Sequence, residues 1–441
     1  MKNKWLFISI LIVAEILVLT AVVFVVWQGV SQTDLGTFGF RLSNPDLFSA
    51  ESEEEWGFEA GEITEIVLDS SGGDILVEAI KSDEFLITAQ KTAWQSTKTK
   101  AQSELDDLSV TVTQTGNKII IKYNREPMMF FAGPQQTDTV DFIISVPEGT
   151  EINAQTDYGD IYLNGKLSDG LVSTDFGDMT LSGIQGNLEA RSNSGDITAE
   201  GISEEGSRIN LSSDFGNITL EKSNCGSVQI HSNSGSVILH DVNASEKIEL
   251  SNDFGKLEFI KGSADILSME ANSGKIYVSG VTVENNLMVR NGFGDIILEK
   301  VTANIFDLDT NRGRIKIMLE STGRTITIKA VSDHGDLEIK ATDQADLDLY
   351  TKSGNIEFSG LLGIGPHSLV TDFGDISMYL PKDTALTFDL ETDFGKLKTE
   401  FPITLEGNVK QDHWRGTLND GGAELTATTN SGDISFEFLT R

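Results

Sequence analysis

The strongest constraint on this fold is a mark of glycine, a polar residue and an aliphatic residue that keeps returning along the chain. It begins at Gly159, Gly177, Gly195, Gly216, Gly235, Gly255, Gly274, Gly294, Gly313, Gly335, Gly354, Gly374, Gly395 and Gly432. From Gly159 to Gly395 it takes twelve steps over 236 residues, about twenty residues per step. A fixed period of this size belongs to stacked repeats, in which a unit too small to be stable alone buries its apolar face against its neighbours. Segments such as GDITAEG and GSVILHD alternate in period two and favour β-branched residues, so the units are strands and not helices.

Each unit holds two alternating segments, for example LEARSNS and GDITAEG, joined at a glycine and followed by a turn such as GIQGN. Val172, Thr174 and Phe176 share one parity, whereas Met179 and Leu181 share the other, so the inward face switches across Gly177 and Asp178. A corner or bulge there gives both segments the same inside, and glycine permits the positive φ this needs. Structural corners are therefore expected at Gly177, Gly195, Gly216, Gly235, Gly255, Gly274 and Gly294. Successive corners alternate between Asp-Phe-Gly and Asn-Ser-Gly. Two arrangements fit: a rung of about twenty residues with inward rings stacked over serines, or a flattened rung of about 39 with Phe on Phe along one edge and Ser on Ser along the other. Both make Phe176, Phe215 and Phe254 packing residues.

The expected fold is all-β: a parallel β-solenoid, or β-helix, over residues 149–441, right-handed by the general rule for parallel crossovers, with an irregular end from about 396 where the period breaks. Residues 62–148 carry alternating segments including ITEIVLDS, EFLITAQK and KIIIKY and are expected as a β-rich N-terminal cap region over one open end. Residues 31–61 are acidic and weakly periodic, the pattern of a linker.

Before the linker stands WLFISILIVAEILVLTAVVFVVW. Trp5 to Val26 is 22 residues, about 33 Å as a helix, enough to cross a hydrocarbon core of about 30 Å. No Ala-x-Ala cleavage pattern follows it, so residues 5–30 are expected as an uncleaved transmembrane anchor. Lys2 and Lys4 precede the span and no Lys or Arg follows until Arg41. Residues 1–4 are then a cytoplasmic tail, and the expected location is the cell membrane, single-pass, with the C-terminal domain extracytoplasmic. Glu15 lies near mid-span, where a charged group costs about 3 kcal/mol. It is either a lone protonated carboxyl or a polar contact with another transmembrane helix.

The net charge is −35, and removing Lys2, Lys4 and Glu15 leaves −36 on the outer part. Such a surface repels phosphate backbones and excludes nucleic acid as a partner. Cys225 is the single cysteine, so packing and backbone hydrogen bonds must hold the fold without an intrachain disulfide.

Candidate chemistry is sparse. Asp175, Asp214, Asp253, Asp372 and Asp393 precede the corner aromatics, and Asp160, Asp178, Asp196, Asp295, Asp336, Asp375 and Asp433 follow corner glycines. Stacked carboxylates would repel, so they accept bonds from turn amides or share a divalent cation; the Asn, Ser and Lys at equivalent places favour the first. His231, His240, His334, His367 and His413 lack metal spacing, and Asp-Phe-Gly occurs without the other parts of a kinase. No catalytic, cofactor-binding or metal residue is assigned, and the chain reads as a non-enzyme. Met128, Met129, Phe130 and Phe131, in REPMMFFAGPQQTD, either pack on the open end or form a partner contact.

The segment VDFIISVPEGTEINAQTDYGDIYL, the T-x-[DS]-G-D-I marks and the ending GGAELTATTNSGDISFEF resemble the bacterial β-strand-repeat proteins known as putative adhesins. That family, of unknown function, is related to the toast-rack domains of envelope-stress proteins, and the resemblance spans roughly Ile63 to Arg441. It implies a single-stranded right-handed β-helix outside a bacterial membrane, with adhesin-like or stress-response associations and no catalytic residues to carry over. The function expected is a membrane-anchored cell-surface interaction scaffold whose partner is a cell-envelope component. The alternative is an envelope-stress sensor or regulatory subunit acting through a transmembrane protein at Glu15.

Overall fold

The computed structural model describes residues 47–125, 138–407 and 410–439. Glu15, the apolar run around it, and Met128, Met129, Phe130 and Phe131 lie outside the described residues. Among the described residues, no helix is long and apolar enough to cross a membrane.

The repeat builds a parallel β-solenoid. Gly170–Phe176 pairs in parallel with Glu151–Tyr158 on one side and Leu188–Ser194 on the other, while Met179–Ser182 pairs with Ile161–Asn164 and Ile197–Glu200. Each rung thus supplies one strand before its glycine corner and one after it. Register settles the rung at about twenty residues, because Phe176 stands against Ser194, Ser194 against Phe215, and Phe215 against Ser234. In the most regular part, Ile218–Ser234, Val237–Phe254, Leu257–Ser273 and Ile276–Phe293 run unbroken round the second turn.

Alternation fills the interior with aligned columns. Ile197, Ile218, Val237, Leu257 and Ile276 form one, and Leu211, Ile230, Leu250, Met269 and Val289 another, all buried. Each such side chain contributes about 1.5 to 3 kcal/mol of burial, and every one is shared between two rungs.

One inward column is polar. Thr174, Ser192, Ser213, Ser232, Thr310, Ser332, Thr351 and Thr371 are buried and donate to the corner-glycine carbonyl of the preceding rung, as in Ser213 Oγ to Gly195 O at 3.0 Å and Thr351 Oγ1 to Gly335 O at 2.9 Å. The corner turns that carbonyl out of the sheet ladder, and a buried acceptor left unpaired would cost about 1 to 3 kcal/mol. Asn252 and Asn291 hold the same position and donate through Nδ2, but their Oδ1 atoms are buried with no partner. Asn252→Thr should therefore stabilise the protein by about 1 kcal/mol, since threonine keeps the donor and removes the orphan acceptor. A thermal melt that moved downward would refute this.

Both ends depart from sequence order. At one, Glu65–Ser70 and Ile75–Ile80 lie inside the later strands Lys118–Tyr123 and Thr139–Pro147, which stack outside them in parallel. Beyond these the pairing turns antiparallel, with Glu84–Gln95 on Thr139–Pro147 and Val110–Thr115 on Lys118–Tyr123. At the other end, the last strands, Ala423–Ser431 and Ile434–Phe438, sit between the rungs of His367–Leu380 and Leu386–Thr399.

Residues 48–59, expected as the end of a linker, instead form the strand Phe48–Glu59, antiparallel to Glu84–Gln95. Ala50, Trp56 and Phe58 pack against the core, and Glu54 meets the buried Lys91 at 2.5 Å. The remaining glutamates of this edge strand face water, where they blunt an edge open to pairing and hide its period. The segment Lys98–Asp107, for which no element was expected, is a helix capped by Thr97, whose hydroxyl accepts from Lys100 N at 3.3 Å.

Candidate interaction surface along the glycine corner

The corner glycines stand in one column because nothing larger fits. A Cβ added at Gly177, Gly195, Gly216, Gly235, Gly255 or Gly294 would lie 1.9 to 2.1 Å from the carbonyl oxygen of the glycine one rung away, and at Gly274 1.8 Å. Close stacking of backbone on backbone is thus the common reason for glycine. Positive φ is a second reason at some corners, such as Gly255 at 135° and Gly294 at 139°.

The residue before each glycine corrects the expectation of inward rings. Phe176, Phe215, Phe254, Phe293, Phe373 and Phe394 are 53 to 79% exposed, although Phe176 shares parity with the buried Val172 and Thr174. The bend begins one residue earlier than the alternation suggests: pairing runs through Thr174 on Ser192, skips Asp175, and resumes at Phe176 on Ser194. That irregularity turns the ring outward, while the inward space beside the glycine is taken by the Ser/Thr column.

The result is an external ladder. Register gives the order Tyr158, Phe176, Ser194, Phe215, Ser234, Phe254, Ser273, Phe293, Arg312, His334, Ser353, Phe373, Ser431 and Phe394, one residue per rung. Tyr158 and Phe176 stack with ring centroids 5.2 Å apart. From Phe176 to Phe293 a phenylalanine stands on every second rung, a spacing of about 9.6 Å. The guanidinium of Arg312 lies 5.7 Å from the Phe293 ring centroid and closes this run.

Polar ladders flank the rings. On one side Asp and Asn alternate in step with Phe and Ser: Asn193 Nδ2 donates to Asp175 Oδ1 at 2.7 Å, Asn233 to Asp214 at 2.9 Å, and Asn272 to Asp253 at 2.6 Å. Burial and the nearby Asp175 and Asp69 raise the carboxyl pKa of Asp157 at the start of this column. On the other side, where Asp or Asn follows the glycine, its side chain caps the next rung, as in Asp178 Oδ1 accepting from Asp196 N at 2.7 Å and Asp336 Oδ1 accepting from Asn355 N at 2.8 Å. Asparagine amides satisfy the first set of carboxylates and turn amides the second. Among the described residues no cluster of three or more His, Cys, Asp or Glu could hold a metal ion.

Away from this edge, a shallow groove is lined by Glu151, Asp169, Asn187, Glu189 and Arg208. Its polar groups are tied into the rungs, with Asp169 Oδ1 accepting from Asn187 N at 2.5 Å and Asn187 Oδ1 accepting from Arg208 N at 3.0 Å. The sequence predicts corners at these glycines and makes Glu15, Met128, Met129, Phe130 and Phe131 candidate contacts, which lie outside the described residues. The alternation of Phe with Ser fits rings on either face, so the sequence carried no separate signal for the exposed ladder.

The family model Toastrack DUF4097 matches residues 63–260, 208–360 and 260–437. No curated protein matches the chain. Among solved structures, a putative cell adhesion protein from Clostridium sporogenes is similar at 9% identity and a TM-score of 0.18, over 88% of this chain and 99% of that one. A putative adhesin from Bacteroides fragilis is similar at 12% identity and a TM-score of 0.31, over 59% of this chain and 97% of that one. At such TM-scores neither likeness bears on how this chain works.

Proposed function

The chain belongs to the Toastrack DUF4097 family, and we propose that it is a non-enzymatic, membrane-anchored scaffold that binds a cell-envelope component outside the membrane through its aromatic corner. The observation that carries this reading is the external ladder of phenylalanines on a backbone too closely stacked to yield. A ring more than half exposed adds little to packing, and a row of them on a rigid support suits an interaction surface. The apolar run from Trp5 to Val26, with Lys2 and Lys4 before it, supports the anchor and its orientation. Glu15 supports a second reading, a regulatory subunit that meets a transmembrane partner through that carboxyl.

The test is sedimentation of the full chain with isolated cell envelopes of its own source, beside Phe215→Ser/Phe254→Ser. Serine already occupies the intervening rungs, so the variant should fold with an unchanged melting temperature. Loss of most of the bound protein is the expected result; undiminished binding would refute the aromatic corner. A partner lost instead on Glu15→Leu, in pull-downs from detergent-solubilised membranes, would favour the regulatory reading.

A further inference from the structure

We propose that the aromatic corner binds an extended, uncharged β-1,4-linked polysaccharide, one ring stacked under every second sugar. This deepens the reading of the corner as the interaction surface and rests on it. Three observations converge on this class of ligand.

The first is period. In an extended β-1,4-linked chain each sugar is flipped against the last, so like faces recur once per disaccharide, a repeat close to the two-rung spacing of about 9.6 Å. Phe176, Phe215, Phe254 and Phe293 hold that spacing without interruption. The apolar C–H face of a pyranose can lie on each exposed ring.

The second is that the flanking polar groups share the same two-rung unit. Every Phe rung of Phe176, Phe215 and Phe254 carries an Asp before the ring, and every Ser rung of Ser194, Ser234 and Ser273 carries an Asn. Each of those Asp residues uses Oδ1 to accept from the neighbouring Asn, and among the described residues Oδ2 makes no hydrogen bond. A Phe rung therefore offers stacking with an acceptor, and a Ser rung offers a hydroxyl and an amide, which suits a polymer of alternately turned sugars rich in hydroxyls.

The third is charge. Asp175, Asp214 and Asp253 line the rings on a surface of net charge −36. Nucleic acids and acidic glycans are repelled, and a second copy of the chain would bring these carboxylates against their own equivalents. A neutral polymer meets neither penalty.

Binding of the full chain in detergent micelles to chito- and cello-oligosaccharides, with α-1,4-linked malto-oligosaccharides beside them, tests the proposal. Affinity for one β-1,4 series should rise with each added disaccharide and level off near about seven sugars, when all four rings are covered. Phe215→Ser/Phe254→Ser should weaken the longest ligand by about tenfold for each ring lost, with the melting temperature unchanged. Absence of binding to both β-1,4 series, equal binding of the malto series, or an unaffected variant would overturn the proposal. If oligosaccharides fail while Phe215→Ser/Phe254→Ser still abolishes envelope binding, the polysaccharide is wrong and the interaction surface stands. If envelope binding is also unaffected, both readings fall.

Discussion

Gly235→Ala is expected to cost about 3 kcal/mol or more of folding stability, whereas Gly280→Ala should cost about 1 kcal/mol. The two glycines differ in what surrounds them. A Cβ at Gly235 would stand 2.0 Å from Gly216 O and 2.5 Å from Gly216 C, and Gly255 is stacked just as closely on Gly235 O. No side-chain rotation relieves a clash between backbones, so relief would require moving rungs that are locked to their own neighbours. At Gly280 the φ is 64°, but the nearest atom to an added Cβ is the flexible Lys261 Cγ, at 3.9 Å. Other rungs already place side chains at that second corner: Lys222, Asp241, Lys261 and Lys300 have φ between 44 and 59°. Urea denaturation of both variants measures the difference, and equal losses would show that φ and not close approach sets the need for glycine.

That contrast explains which features were legible in the sequence. A backbone constraint admits only one residue type, so the first corner appeared as a strict glycine period from which parallel stacking followed, while the choice between rungs of about twenty and about 39 residues was made only by the register. The second corner tolerates Lys and Asp and left almost no mark. The buried Ser/Thr column was legible as an inward position, since Thr174 shares the parity of Val172, but not as the donor to the corner carbonyl, because sequence does not show which acceptor a hydroxyl meets. The outward rings were misread because strict alternation was carried one residue too far, through Asp175. The order of the end rungs was not legible at all: Ser431 pairs with Phe373 on one side and Phe394 on the other, and any Asn-Ser-Gly rung satisfies any Asp-Phe-Gly neighbour. Interchangeable repeats specify that rungs stack, and connection lengths and end strands must specify the order.

Where the period stretches, a buried charge takes over from the repeat. The step from Gly313 to Gly335 is 22 residues, and the excess leaves the barrel as the turn after Leu319. Asp343 on the following rung, 7% exposed, holds that turn through bonds from Ser321 Oγ at 2.6 Å, Thr322 Oγ1 at 2.8 Å, Gly323 N at 3.1 Å and Thr322 N. Burial alone would push this carboxyl up, but the hydrogen bonds from Ser321, Thr322 and Gly323 outweigh it and hold the carboxyl below the usual carboxylate range. Asp343→Ala is therefore expected to destabilise the protein by about 2 kcal/mol at neutral pH. Because the folded form binds the proton more weakly than the unfolded chain, this contribution is complete above an ordinary carboxylate pKa of about 4 and is lost as pH falls through the lower folded value. The gap between wild type and Asp343→Ala should stay constant from neutral pH to about pH 5 and close below about pH 4. A gap still at its full neutral-pH size at about pH 3 would mean that the side chain acts through packing and not through its charge, and that the turn is held by something other than the carboxylate.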